Sequence, residues 1–173
     1  RKYSIKRKVK ILKVKDLYKI RNLILFSFEY EELLKNQLFK SKNLYNFHFS
    51  LLPNYRGCHT NFYQILKGEK TSGVTLHKID SGIDTGDIVD SITFKIKKND
   101  TAHTNYFRLM KYSFLLFKNN FAKIIKGNYK LKKQNLKKGS YFSRESVKYK
   151  SLINIKKIDN KMSTHNLIRS LIF

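Results

Sequence analysis

At 173 residues, with 41% hydrophobic and 14% aromatic content, the chain is long enough for one domain with its own core, which excludes a disordered tail. No run approaches the roughly 18 unbroken apolar residues of a membrane span, and residues 1–10 lack the apolar stretch of a signal peptide, so a soluble, cytoplasmic protein without a membrane partner is expected. A net charge of +25 would ordinarily point to a polyanion, but only 7 of the 37 basic residues are Arg and the lysines are spread along the chain, so the basicity reads mainly as background.

Residues 1–21 form a basic, weakly patterned N-terminal segment. The apolar run from Asn22 to Phe28 predicts a buried strand. Tyr30 to Phe39 predicts a short helix with Leu33, Leu34 and Leu38 on one side. From Leu44 to Ser50, aromatic residues at 45, 47 and 49 alternate with Asn46, His48 and Ser50, and a strand would put these three polar side chains on one face. Leu51-Leu-Pro53 ends that strand, and Asn54 to Gly57 has the residues of a turn.

A helix from Thr60 to Lys67 follows, closed by Gly68. Gly73–Ile79 and Ile88–Ile96 both predict strands, joined by a loop from Asp80 to Asp87 that holds two glycines and three carboxylates. Asp100 or Thr101 caps a long helix that carries Ala102, Tyr106, Leu109, Met110, Phe117, Phe121 and Ile124 at three- and four-residue spacings, and Gly127 closes it. A Lys-rich linker is expected from Lys130 to Ser140, then short extended pieces over Tyr141–Ile155, then a last helix capped by Ser163 and running through Leu167, Ile168 and Leu171. The chain starts with Arg and stops at Phe173 without a terminating signal, so both ends read as cut. The expected division is an N-terminal segment at 1–21, a catalytic core at 22–129, and a linker with the start of a C-terminal extension at 130–173.

Asn46 and His48 share a strand face before a Pro-bounded turn, and Asp84 sits in the Gly-containing loop. A histidine titrating near neutrality, an amide donor and a carboxylate to orient the ring suit acyl transfer. Spacing alone leaves open a packed strand histidine and a plain turn aspartate. Cys58 stands alone, so neither an internal disulfide nor a cysteine-paired zinc site is available.

The string Asn46-Phe-His-Phe-Ser-Leu-Leu-Pro53, with Tyr55-Arg-Gly57 after it, resembles the Asn-x-His-x-Ser-Leu-Leu-Pro signature of the folate-dependent formyltransferases. Gly73 to Ile88 resembles the second signature of that family, in the same order. The resemblance spans Asn22 to Phe173 and weakens beyond Gly127. It implies a Rossmann-like α/β fold, 10-formyltetrahydrofolate as formyl donor, no metal, and Asn46, His48 and Asp84 as the catalytic residues. It places the folate against Phe28, Glu29, Tyr30 and Leu33 on one segment and Lys78, Ile79, Asp80, Gly82 and Ile83 on another. His77 matches a family position as well, with a packed strand histidine as the equal alternative.

For the acceptor, Cys58-His-Thr-Asn-Phe62 looks like the pattern of sugar-nucleotide formyltransferases, so a nucleotide-linked amino sugar is expected. The methionyl-tRNA enzymes, and hence tRNA as acceptor, are the runner-up, and a homodimer is left open. The family's first βαβ units would lie upstream of Asn22 and have no counterpart here; Phe49 and Thr60 stand where Pro is usual. A non-catalytic remnant or basic binding module is therefore the expectation of another class.

Overall fold

The computed structural model describes residues 9–147 and 161–172. At its centre is a four-stranded mixed sheet with spatial order β1 (Ile24–Phe28), β2 (Asn43–His48), β4 (Thr71–Lys78) and β5 (Ile88–Lys95). β1 and β2 run parallel, while β4 is antiparallel to both β2 and β5. A short second pairing joins β3 (Arg56–Gly57) to β6 (Tyr141–Phe142) in parallel. The helices are a single turn, α1 (Val14–Leu17), then α2 (Thr60–Leu66), α3 (Ala102–Ile125) and α4 (Lys161–Leu171).

Alternation along β2 sorts its residues between the two faces of the sheet. Tyr45, Phe47 and, just beyond the strand, Phe49 join Val74, Leu76 and Phe94 in a core closed by Leu109, Leu116 and Ile124 of α3. Burying each such side chain stabilises the fold by roughly 1.5–3 kcal/mol. The opposite face carries Asn46 and His48. Ser50 falls outside this set, because the chain leaves the sheet after His48 and the Ser50 hydroxyl donates to the Asn54 carbonyl at 2.6 Å.

The helix expected over Tyr30–Phe39 does not form; only a 3-10 turn at Asn36–Leu38 is present. Glu29 turns the chain at φ 47°, and Leu33 and Leu38 are 62% and 47% exposed, so a helix there would have no layer on which to bury its leucines. On α3 the cap and the end fall as expected: the Thr101 hydroxyl accepts from the Thr104 amide at 3.2 Å, and the helix closes at Gly127. Its buried stripe differs. Met110 and Phe121 face outward, while Asn105, Ser113 and Asn120 are buried. These polar residues belong inside because they have partners there: Asn105 donates to Gln64, and Asn120 to Asp90 and to the Leu116 carbonyl.

Gln64 also anchors α2, donating to the Phe49 carbonyl and accepting from Ser72. Ser163 lies within α4, two residues past Lys161, and is not its cap. α4 packs on α2 and is tied to the start of α3 by Arg169, which donates to the Asp100 carbonyl at 2.7 Å. The stretch 130–140 is tied to the edge of the sheet: Lys132 bridges Ile88, and the Ser140 amide donates to the Pro53 carbonyl. Of the extended pieces expected over 141–155, only Tyr141–Phe142 is a strand among the described residues, and 148–155 lie outside them. No helix among the described residues is long and apolar enough to cross a membrane.

Candidate active site

Strand register sets the first part of the site. Asn46 of β2 stands opposite His77 of β4, and His48 opposite Thr75, so these side chains share one face across the pair. Past His48 the chain turns through Leu52–Pro53, a cis peptide, and returns the Tyr55 carbonyl to within 2.6 Å of His48 Nε2. The loop after β4 then folds back. Asp80 Oδ1 accepts from the Gly82 amide at 3.1 Å and the Thr85 hydroxyl at 2.7 Å, and the chain passes Gly86, where a Cβ would stand 1.9 Å from the Lys78 carbonyl oxygen. Only glycine fits that approach.

This fold-back delivers Asp84, itself in the left-handed region at φ 54°, to the polar face of β2. Its Oδ2 accepts from the Gly57 amide at 2.9 Å and lies 3.4 Å from His48 Nδ1. Its Oδ1 lies 3.4 Å from Asn46 Nδ2, which donates to it, and 3.5 Å from His77 Nε2. The loop is held from outside by Gln134, whose Nε2 donates to the carbonyls of Asp84 at 3.0 Å and Gly86 at 2.7 Å.

Burial alone would raise the Asp84 carboxyl, but His48, His77 and the Gly57 amide outweigh it and hold the group well below the usual carboxylate range. For His48, burial is the largest influence and pushes the imidazole below its ordinary value, against the opposing pull of Asp84 and the Tyr55 carbonyl. Hydrogen-bond chemistry fixes the tautomer. The Tyr55 carbonyl can only accept, so Nε2 carries the proton and Nδ1 of the neutral ring is bare, facing an ionised carboxylate. A proton arriving at Nδ1 would thus find a partner already in place. His77 is held in the same network, with Nδ1 2.8 Å from the Lys78 carbonyl and Nε2 3.3 Å from Asn46 Nδ2.

Asn46, His48, His77 and Asp84 line a cavity of about 560 Å³. Of the residues assigned to the donor, Glu29, Tyr30, Leu33, Ile79, Asp80, Gly82 and Ile83 line it too. Phe28 and Lys78 do not. Phe28 stacks on Phe47 at 4.1 Å, and Lys78 reaches from the core face of β4 over the Tyr45 ring to the Lys42 carbonyl. Strand alternation is the reason, since Lys78 adjoins His77 and therefore points the other way.

Tyr55 and Gly57 stood in the sequence only as part of the Tyr55-Arg-Gly57 string and Gln134 not at all; Tyr55 and Gly57 act through a main-chain carbonyl and amide. Cys58, His59 and Arg144 complete another side of the cavity, with Arg144 Nη2 donating to the Glu31 carbonyl at 2.9 Å. Among the described residues no group of three or more His, Cys, Asp or Glu is placed to hold a metal ion. What the cluster offers is an amide donor, an imidazole ready to take a proton and a fixed carboxylate around one cavity. That set suits displacement at a carbonyl-like carbon.

Comparison with known proteins agrees with this chemistry. The family model described as formyl transferase matches residues 24–115, more than half of the chain. An N-formyltransferase from Helicobacter canadensis, solved with folinic acid and dTDP-3-aminofucose, is 42% identical and superposes with a TM-score of 0.94, covering 99% of this chain and 63% of its own. The sugar 3N-formyl transferase WlaRD, solved in the presence of dTDP and 5-N-formyl-THF, is 43% identical with a TM-score of 0.92, covering 99% and 62%. The bifunctional polymyxin resistance protein ArnA of Wigglesworthia glossinidia brevipalpis is 34% identical over 73% of this chain and 21% of that protein. The chain thus spans under two thirds of the length of each.

Proposed function

This chain belongs to the formyl transferase family, and from that premise we propose that it moves a formyl group from 10-formyltetrahydrofolate to the amine of a nucleotide-linked amino sugar. The convergence of Asn46, His48 and Asp84 on one wall of the cavity carries this proposal. The acceptor amine attacks the formyl carbon. The new N–C bond forms first, pushing the carbonyl electrons onto oxygen, and the bond from that carbon to folate N10 then breaks as the carbonyl re-forms; the amine loses a proton and N10 gains one. The oxyanion formed on the way is stabilised by the Asn46 amide and by His48 once protonated. His48 Nδ1 receives the proton against the ionised Asp84, which keeps the imidazolium in place until the proton passes to N10. No step is routed through a metal.

The donor lies against Glu29, Tyr30 and Leu33 on one side and Ile79, Asp80, Gly82 and Ile83 on the other, all of which line the cavity. The sugar nucleotide enters beside Cys58, His59 and Arg144. Two similar structures, solved with dTDP-3-aminofucose or with dTDP, support that class of acceptor over tRNA. A cytoplasmic location is part of this proposal. The test is a formyl-transfer assay with 10-formyltetrahydrofolate against a panel of dTDP-amino sugars and initiator tRNA. Salt-insensitive transfer to a dTDP-amino sugar is expected; steeply salt-dependent transfer to tRNA would replace that acceptor. No transfer to any amine, by a chain that folds, would favour a non-catalytic remnant.

A further inference from the structure

One stretch of chain, beyond the residues matched by the family model, grips Asp84 from two sides. Residues 130–142 cross the edge of the sheet beside β5, where Lys132 and Ile88 exchange two backbone hydrogen bonds of 2.8 Å. Two residues later, Gln134 donates to the carbonyls of Asp84 and Gly86. Its Oε1 is buried without a partner, so the donor nitrogen makes all the polar contacts of this side chain. Further on, Tyr141–Phe142 pairs with Arg56–Gly57, so closely that a Cβ on Gly57 would stand 2.1 Å from the Phe142 carbonyl oxygen. The Gly57 amide held by this pairing is the one that donates to Asp84 Oδ2. Main chain and carboxylate of Asp84 are therefore both fixed by residues 130–142.

Such a grip answers a need. Asp84 is a non-glycine residue at φ 54°, a conformation that persists only where surrounding contacts over-determine it. Resting on the role given above to Asp84 in formyl transfer, we propose that Gln134 is a positioning residue for that reaction: it locks the backbone of residues 84–86 so that the Asp84 carboxylate stays on His48. The strap at 130–142 is then a working part of the active site and not a passive connection.

Gln134→Met keeps the shape of the side chain, removes its unpartnered oxygen and abolishes donation; Gln134→Lys restores a donor at similar reach. Each would be compared with wild type in formyl transfer and in NMR titration of His48 in histidine-labelled chain, with His48 assigned from the signals lost in His48→Gln. The groups facing His48 are Asp84 and His77. Gln134→Met should lower kcat roughly 10- to 100-fold, as expected for a misplaced catalytic group, with KM for the donor nearly unchanged. Its His48 should titrate at lower pH, because the carboxylate no longer supports the imidazolium, and Gln134→Lys should recover both properties. Unchanged kcat in Gln134→Met overturns the proposal. If wild type transfers no formyl group, a displaced His48 titration still supports the positioning role and only the proposed reaction fails; an undisplaced one overturns the positioning role. Gln134→Ala, which removes the donor without filling its space, repeats the comparison if Gln134→Met does not fold.

Discussion

On the sheet side of the cavity, His48 and His77 are 6% and 2% exposed, and both carboxylate oxygens of Asp84 have a neighbour fixed by strand register or by a backbone amide. On the opposite side Tyr30 and Leu33 are 43% and 62% exposed and stand on a segment without helix or strand. The difference follows the demands of the chemistry. Groups that stabilise a transition state must already be in place, because a donor displaced by 1 Å loses most of its effect. A wall that only holds the donor needs shape and apolar contact, which an open segment supplies.

The largest effect that would break this contrast is at the buried wall. His48→Ala and Asp84→Asn should each lower formyl-transfer turnover roughly 10²- to 10⁴-fold, the usual contribution of a proton-transfer or oxyanion-stabilising group. Folding, followed by thermal melting, should change far less. A purified His48→Ala protein with near-normal turnover would sink the catalytic assignment.

Next in size is a change that leaves every catalytic side chain in place. Gly86→Ala puts a methyl group 1.9 Å from the Lys78 carbonyl, so the loop must shift. Overpacking of this kind costs about 1–3 kcal/mol, readable by urea unfolding. Activity should fall further than the unfolded fraction accounts for, because Asp84 moves with the loop. A loss of activity that tracks unfolding alone would mean that the loop tolerates the shift.

The exposed wall should behave differently. On the proposed placement of the donor, Leu33→Ala removes apolar contact and no hydrogen-bonding group, so KM for 10-formyltetrahydrofolate should rise about three- to tenfold, ~1 kcal/mol, with kcat unchanged. Steady-state kinetics on one variant decides this. A fall in kcat equal to that at His48 would erase the distinction between the two walls.

How much of this could be read beforehand follows the same division. Strands β2 and β4, the Gly68 that closes α2, the Thr101 cap and Gly127 end of α3, and the pairing of Asn46 with His48 on one face were legible, because side-chain alternation and capping residues are local signals. So was the loop that carries Asp84, from its glycines. The segment at 29–39 was not, since Leu33, Leu34 and Leu38 have helical spacing and only the lack of a layer to receive them rules the helix out. Polar residues on the buried stripe of α3 were hidden for a related reason: Asn105 and Asn120 are inside only because Gln64 and Asp90, far away in sequence, meet them. Tyr55 reaches the site through a main-chain carbonyl, which leaves no mark on residue type, and Gly57 through an amide whose only mark is the glycine required by φ 89° and the approach of Phe142.

The smallest effect lies in the pH dependence of stability, and it separates the two ionisable partners on the buried wall. Asp84 has its carboxyl pushed down in the fold, so its contribution is fully present above the ordinary value of 3.8 and is lost only as pH falls toward its folded value. His48 is pushed down from 6.5. Between its folded value and 6.5 the unfolded chain binds a proton that the folded chain does not, so stability rises with pH across that window and falls as the solution is acidified. Both groups make acid destabilising, but in separate ranges. Urea unfolding between pH 7.5 and 5.5 should show a decline in the wild type that is smaller in His48→Gln, which has no proton to take up. Equal slopes in the two proteins would mean that His48 takes up its proton in the folded chain as readily as in the unfolded one, and burial would then not be what keeps the ring free to receive a proton from the amine.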